Sequence, residues 1–150
     1  MTVSSPSSMR DAMKSVIKAV DPTQYTYDAK LVRVVDGDTV ELDAYKEVVF
    51  EYDFGFHQKV KIDYHPTARL IFRLLGINAP EKRGETLEAA KRSQAALTML
   101  LQSGKLTVTT GKQDKYGRWL AEILVAPEGN AQINASQWML EGGFAVKYGG

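Results

Sequence analysis

The 150-residue chain contains no cysteine. That absence excludes a disulfide framework, a thiolate zinc site and a cysteine nucleophile. Histidine is scarce as well: only His57 and His65 occur, in a stretch that reads as hairpin surface and not as a ligand set. No run of 18 apolar residues exists, so no segment has the length and apolarity of a membrane-spanning helix. A basic n-region followed by an apolar h-region is also missing, which predicts a cytoplasmic protein, not a secreted one. Charge of one sign does not dominate either. The formal net charge is +1, which gives no global signature of nucleic-acid binding.

What is present is ordinary globular composition, 44% hydrophobic and 25% charged, in a length that fits one domain with one core. The charges are unevenly placed. Between Glu81 and Arg118 eight Lys/Arg face four acids, whereas between Asp36 and Asp63 eight acids face three lysines. Most of these charges are solvated surface. The arrangement also suits a basic rim beside an acidic pocket.

From Pro6 to Val20, the residues Met9, Met13, Ile17 and Val20 recur at helical spacing with Val16 beside them, and Asp21-Pro22 stops the pattern. Residues 1–24 therefore read as an extension with a short amphipathic helix, packed on the main domain or serving as an arm for a protein partner. Residues 25–150 read as the domain proper. Asp28 to Asp43 reads as two strands joined at Asp36-Gly37-Asp38-Thr39. Ala44 to Tyr64 follows as a β-rich insertion in which Val48, Phe50, Tyr52, Phe54 and Phe56 keep one parity, predicting an extended hairpin bent near Gly55. Thr67 to Leu75 is the next strand, and Gly84 to Gln102 a helix with Leu87, Ala90, Leu97, Leu100 and Leu101 near one face. Leu106 to Thr110 and Trp119 to Ala126 are two more strands, and Ile133 to Gly142 is a short helix anchored by Ile133, Trp138, Met139 and Leu140. Five strands with a helix after the third predict an α+β fold, a five-stranded Greek-key barrel of the oligonucleotide-binding type.

Three stretches carry chemistry. Arg73-Leu74-Leu75-Gly76-Ile77-Asn78-Ala79-Pro80-Glu81 is an apolar strand with one arginine, broken by Gly76 and Pro80 into an oxygen-rich turn. Val35-Asp36-Gly37-Asp38-Thr39-Val40 is an acidic turn between β-type runs, and Asp114-Lys115-Tyr116-Gly117-Arg118 supplies a second arginine. Carboxylates and two arginines are the parts that metal-assisted phosphodiester hydrolysis needs. An arginine among Leu70-Ile71-Phe72 and Leu74-Leu75 requires an anionic partner, with Glu81 a candidate in the free protein and phosphate in a complex.

In this order, VVDGDTVEL, RLLGINAPE and DKYGR resemble the staphylococcal (micrococcal, thermonuclease-like) nuclease family over Asp28 to Tyr148. The DFGF insertion, GINAPE and the ending FAVKYGG are most similar to stand-alone members encoded by bacteriophages, which would place the protein in the host cytoplasm or a virion. The resemblance implies the same barrel and a Ca²⁺-dependent endonuclease of low sequence preference on DNA, RNA or both, leaving 3′-phosphates; Mg²⁺ or Mn²⁺ are the other cations considered. It implies metal ligation by Asp38, Asn78 and the Ala79 carbonyl, with Asp36 in support. It implies catalytic roles for Arg73 and Arg118 on the scissile phosphate and for Glu81 on the attacking water. Lys115, Tyr116 and Tyr148 would contact the nucleotide, and the protein would act as a monomer away from any membrane. Asn78 departs from the aspartate usual in the family, so one formal negative charge is missing and weaker Ca²⁺ binding is expected. The competing class is a catalytically weak or dead barrel that binds nucleic acid or joins a protein assembly.

Overall fold

The computed structural model describes residues 25–148. The expected amphipathic helix of residues 1–24 lies outside the described residues.

Alternation of apolar and polar residues builds the five barrel strands: β1 Tyr25–Asp36, β2 Thr39–Tyr45, β5 Thr67–Leu74, β7 Gly104–Gln113 and β8 Trp119–Pro127. They run in the order β5-β2-β1-β7-β8, and β5 pairs with β8 in parallel to close the barrel. Closure leaves none of the five as a free edge over its whole length. Val40, Leu42, Phe72, Leu74, Val108, Ile123 and Val125 point inward and are fully or almost fully buried. Each such side chain contributes roughly 1.5–3 kcal/mol.

Helix α1, Leu87–Leu101, follows the third barrel strand and buries Ala90, Ser93, Ala96, Leu97, Leu100 and Leu101. It begins later than the sequence pattern suggests. Gly84 adopts φ +58, outside α geometry, so Gly84–Thr86 forms a separate 3₁₀ turn and Leu87 stays exposed. Helix α2, Ala135–Glu141, is also shorter than expected. Ile133–Asn134 is a short strand, β9, on β8, and the Asn134 side chain caps the helix by accepting from Gln137 N at 3.2 Å. Met139 and Ala135 are buried, while Ile133, Trp138 and Leu140 are half-buried against the core. Two short strands, β6 (Ile77–Asn78) and β10 (Val146–Lys147), pair with each other.

Between β2 and β5 stands the expected hairpin, β3 Val48–Asp53 and β4 Lys59–Tyr64. Its bend holds Gly55 at φ +89 and His57 at φ +63, with Phe54 N donating to Gln58 O at 2.9 Å. Both histidines lie on this exposed segment. Among the described residues β3 and β4 pair only with each other. No described helix is long and apolar enough to cross a membrane.

Candidate active site

The three chemistry-bearing stretches, separated by tens of residues, meet at one end of the barrel. Thr39 of β2 lies opposite Arg73 of β5, and Leu74 N donates to Asp38 O at 2.8 Å. Arg73 in turn runs parallel to Leu120 of β8, two residues beyond Arg118. This register creates a cavity of about 470 Å³ lined by Asp36, Asp38, Arg73, Asn78, Glu81 and Arg118, with Ala79, Pro80 and Lys82 completing the wall.

Asp38 is the fixed point. Its Oδ1 accepts from Thr39 Oγ1 and its Oδ2 from Ala79 N, both at 2.9 Å. Gly37 allows this turn to sit hard against α1. A Cβ at Gly37 would lie 1.8 Å from Ser93 Oγ, and that hydroxyl is buried with no hydrogen-bond partner. Arg73 Nη2 lies 3.6 Å from Asp38 Oδ2 and also donates to Asn78 Oδ1. The Arg73 side chain is only 12% exposed, so the expectation of an anionic partner holds.

The partner is not Glu81, and that expectation needs correction. Glu81 Oε2 pairs with Arg83 at 2.8 Å, the two side chains being 69% and 81% exposed. Asp38 has the advantage because the Ala79 amide already holds it beside Arg73, whereas the Glu81 side chain stands exposed at the cavity.

The second arginine is held differently. Arg118 Nε donates to Asp114 Oδ2 at 2.7 Å, while Asp114 Oδ1 accepts from the backbone N–H of Tyr116 (2.8 Å) and Arg118 (2.9 Å). Partial desolvation pushes the Asp114 carboxyl upward, but these backbone and guanidinium hydrogen bonds outweigh it and hold the group below its ordinary value. The exposed Tyr116 ring lies 5.4 Å from the Arg118 guanidinium and 5.2 Å from Lys115 Nζ. Tyr148 arrives by another route: its N–H donates to Gly76 O at 3.0 Å, extending the β6–β10 pairing, and its ring stands 5.1 Å from the Arg73 guanidinium.

Sequence reasoning missed two members. Lys82 lines the cavity, pairs with Asp36 at 3.1 Å and donates to Val35 O. Its position beside Glu81 in the basic rim was the available signal. Asp114 orients Arg118, and the only hint was its fixed place at the start of the arginine loop.

Asp38, Asn78 and Ala79 offer oxygen donors, the kind a hard divalent cation prefers. The set fits in chemistry and is thin in charge. Among the described residues no group of three or more His, Asp and Glu is arranged to hold an ion. Asn78 Oδ1 and Asp38 are also already engaged by Arg73.

The architecture is thus a closed five-stranded barrel of the oligonucleotide-binding type with two oriented arginines and a carboxylate in one end cavity. The sequence comparisons agree with this geometry. The family described as "Staphylococcal nuclease homologue" matches residues 71–149, and the chain belongs to that family. Two proteins called "Uncharacterized endonuclease", from Escherichia coli O157:H7 and Escherichia coli, are each 30% identical to it over 119 residues. The aligned part covers 79% of this chain and 60% of each relative's length.

Proposed function

We propose that the chain is a phosphodiester hydrolase acting on DNA, RNA or both, dependent on a divalent cation and foremost on Ca²⁺. The observation that carries this reading is the meeting of Asp38, Arg73 and Arg118 in one cavity, each held by its own set of hydrogen bonds. Preorganised charged donors aimed at one place stabilise developing charge without reorganising during the reaction.

Arg73 has a planar fork of donors and spends few of them on Asn78 and Asp38, so the rest are available to a phosphodiester. Arg118 lines the same cavity, oriented by Asp114. Together they neutralise the oxygens of the pentacoordinate phosphorus. Glu81 leaves its exposed partner Arg83 at little cost and takes the proton from the attacking water. Asp38, Asn78 and the Ala79 carbonyl would hold a divalent cation, which when bound would supply Lewis-acid polarisation of a phosphoryl oxygen. Lys115, Tyr116 and Tyr148 bind the nucleotide flanking the scissile bond, and the absence of base-reading elements in this set accords with low sequence preference.

A second reading, a barrel that binds nucleic acid with little catalysis, draws on two observations: Asn78 adds no negative charge beside Asp38, and Glu81 faces Arg83. Plasmid and single-stranded RNA degradation, with Ca²⁺ and with chelator, tests the choice. Cation-dependent cleavage abolished in Glu81→Gln supports the hydrolase; intact oligonucleotide binding without cleavage supports the binder.

A further inference from the structure

The β3–β4 hairpin is not an independent appendage but the outward continuation of the β2–β5 ribbon. Ala44 pairs with Ala68 and Tyr45 with Thr67; Lys46 N donates to Pro66 O at 3.2 Å; Val48 then pairs with Tyr64. The register never slips, so even-numbered residues keep one face throughout. That face is the barrel interior at Val40 and Leu42, passes Lys46, whose ammonium stands 5.9 Å from the Tyr27 ring, and continues as Val48, Phe50 and Tyr52 opposite Tyr64, Ile62 and Val60. The inward-facing parity of the barrel thus carries onto the hairpin. There Val60, Ile62 and Tyr64 are 44%, 45% and 56% exposed. The opposite face carries Glu47, Glu51, Asp53, Lys59, Lys61 and Asp63, together with the exposed Val49. A two-stranded ribbon is at best marginally stable alone in water.

Where the face leaves the barrel there is an apolar cavity of about 400 Å³, bordered by Tyr27, Ala44, Leu70 and Phe72 among others. Tyr27 belongs to the start of β1, so the chain enters the barrel at the rim of this cavity. Ahead of Tyr25 stand residues 1–24, in which Met9, Met13, Ile17 and Val20 recur at helical spacing with Arg10, Lys14 and Lys18 one position on from the first three. The dimensions agree. Residues 6–20 as a helix would span about 22 Å, and the six-residue strands of the hairpin extend roughly 20 Å. The link from Val20 to Tyr25 reaches at most about 17 Å, enough to bring the segment from the cavity rim onto the hairpin.

We propose that residues 6–20 are the occupant of this face, with Met13, Ile17 and Val20 covering the hairpin's even-numbered residues and the cavity at its root. The segment would then clamp the distal end of the ribbon whose other end carries Asp38 and Arg73.

The lack of native cysteine permits a clean test in the full chain. A nitroxide is attached at Ser15→Cys, off the proposed contact stripe, and the methyl signals of Val48, Val60 and Ile62 are recorded with the label oxidised and reduced; Ala19→Cys provides a second label position should the first variant fold poorly. Loss of most hairpin methyl intensity when label and isotope share one molecule supports the proposal. It must be absent from a mixture of spin-labelled, isotope-free protein with unlabelled, isotope-enriched protein. Loss of equal size in that mixture would identify a second copy as the occupant and overturn it. Unaffected methyl signals in both samples would overturn it as well, leaving the face to a different partner.

Discussion

Arg73 and Asp38 lie 3.6 Å apart with side chains 12% and 14% exposed, the most enclosed ion pair among the described residues. Each is held by further groups: Asp38 by Thr39 and the Ala79 amide, Arg73 by Asn78 and the Tyr148 ring. A charge pair this enclosed is costly to break by removing one partner. Its value lies in aiming a guanidinium into the cavity.

Asn78→Asp should tighten Ca²⁺ binding. The new carboxylate raises the ligand charge beside Asp38, and cation affinity in oxygen sites follows that charge. It also strengthens the hold on Arg73, which already donates to this side chain. Calorimetric titration of both proteins measures the change; equal or weaker affinity in the variant would remove Asn78 from the cation site.

Arg73→Ala and Arg118→Ala should each lower turnover by roughly 10²–10³-fold, since loss of one preorganised donor to the transition state costs ~3–4 kcal/mol. The two variants should differ in stability. Arg73→Ala leaves Asp38 enclosed without its cation, whereas Arg118 is 30% exposed and its loop remains closed by backbone bonds to Asp114. Single-turnover rates and melting curves on the same samples separate these effects, and near-native turnover in a folded variant would reject the assignment.

How much of this was readable beforehand depends on what each feature rests on. The barrel strands, the hairpin parity and the buried arginine's need for an anion follow from local pattern. The identity of that anion does not. It depends on the β2–β5 register and on the Ala79 amide reaching Asp38 across 41 positions of sequence. The late start of α1 likewise rests on Gly84 taking a positive φ, which a glycine permits but does not announce. Nor does alternation reveal whether a neighbouring element covers a hairpin's apolar face.

Gly37→Ala should destabilise the protein by about 1–3 kcal/mol, the range for forcing extra volume into a packed interior. The added Cβ would lie 1.8 Å from Ser93 Oγ and 2.8 Å from Ser93 Cβ. Combining it with Ser93→Gly should recover part of the loss, although glycine itself costs the helix about 1 kcal/mol. A double-mutant cycle by chemical denaturation checks this; strict additivity would show that the two positions do not collide.

Acid sensitivity should trace in part to Asp114. Its carboxyl is held below the ordinary value near 3.8 in the folded protein. The unfolded chain therefore takes up that proton more readily. The stabilising contribution is fully present above the ordinary value and is lost as pH falls through the lower folded one. Asp114→Asn should flatten the stability profile in this acidic window, and its destabilisation should be largest at neutral pH, where the carboxylate's contribution is complete. Denaturation midpoints across the window supply the measurement, and identical slopes in both proteins would refute the link.

Glu81→Gln decides the role of the rim carboxylate. The change is nearly isosteric and keeps hydrogen-bonding capacity while removing the base. If Glu81 takes the proton from water, turnover should fall by roughly 10²–10⁴-fold, the usual scale for a general base. The structure also bounds the alternative. Among the described residues the Glu81 carboxylate pairs only with Arg83, and both side chains are largely exposed, so a purely structural role is worth little. Melting temperature should accordingly stay close to that of the native protein. Affinity for a short oligonucleotide should persist or rise, because one negative charge beside the phosphate has gone. Cleavage rate, affinity and melting temperature on the same two samples complete the test. A fall in turnover with the other two unchanged assigns the proton transfer to Glu81; unchanged cleavage moves it to another group in the cavity.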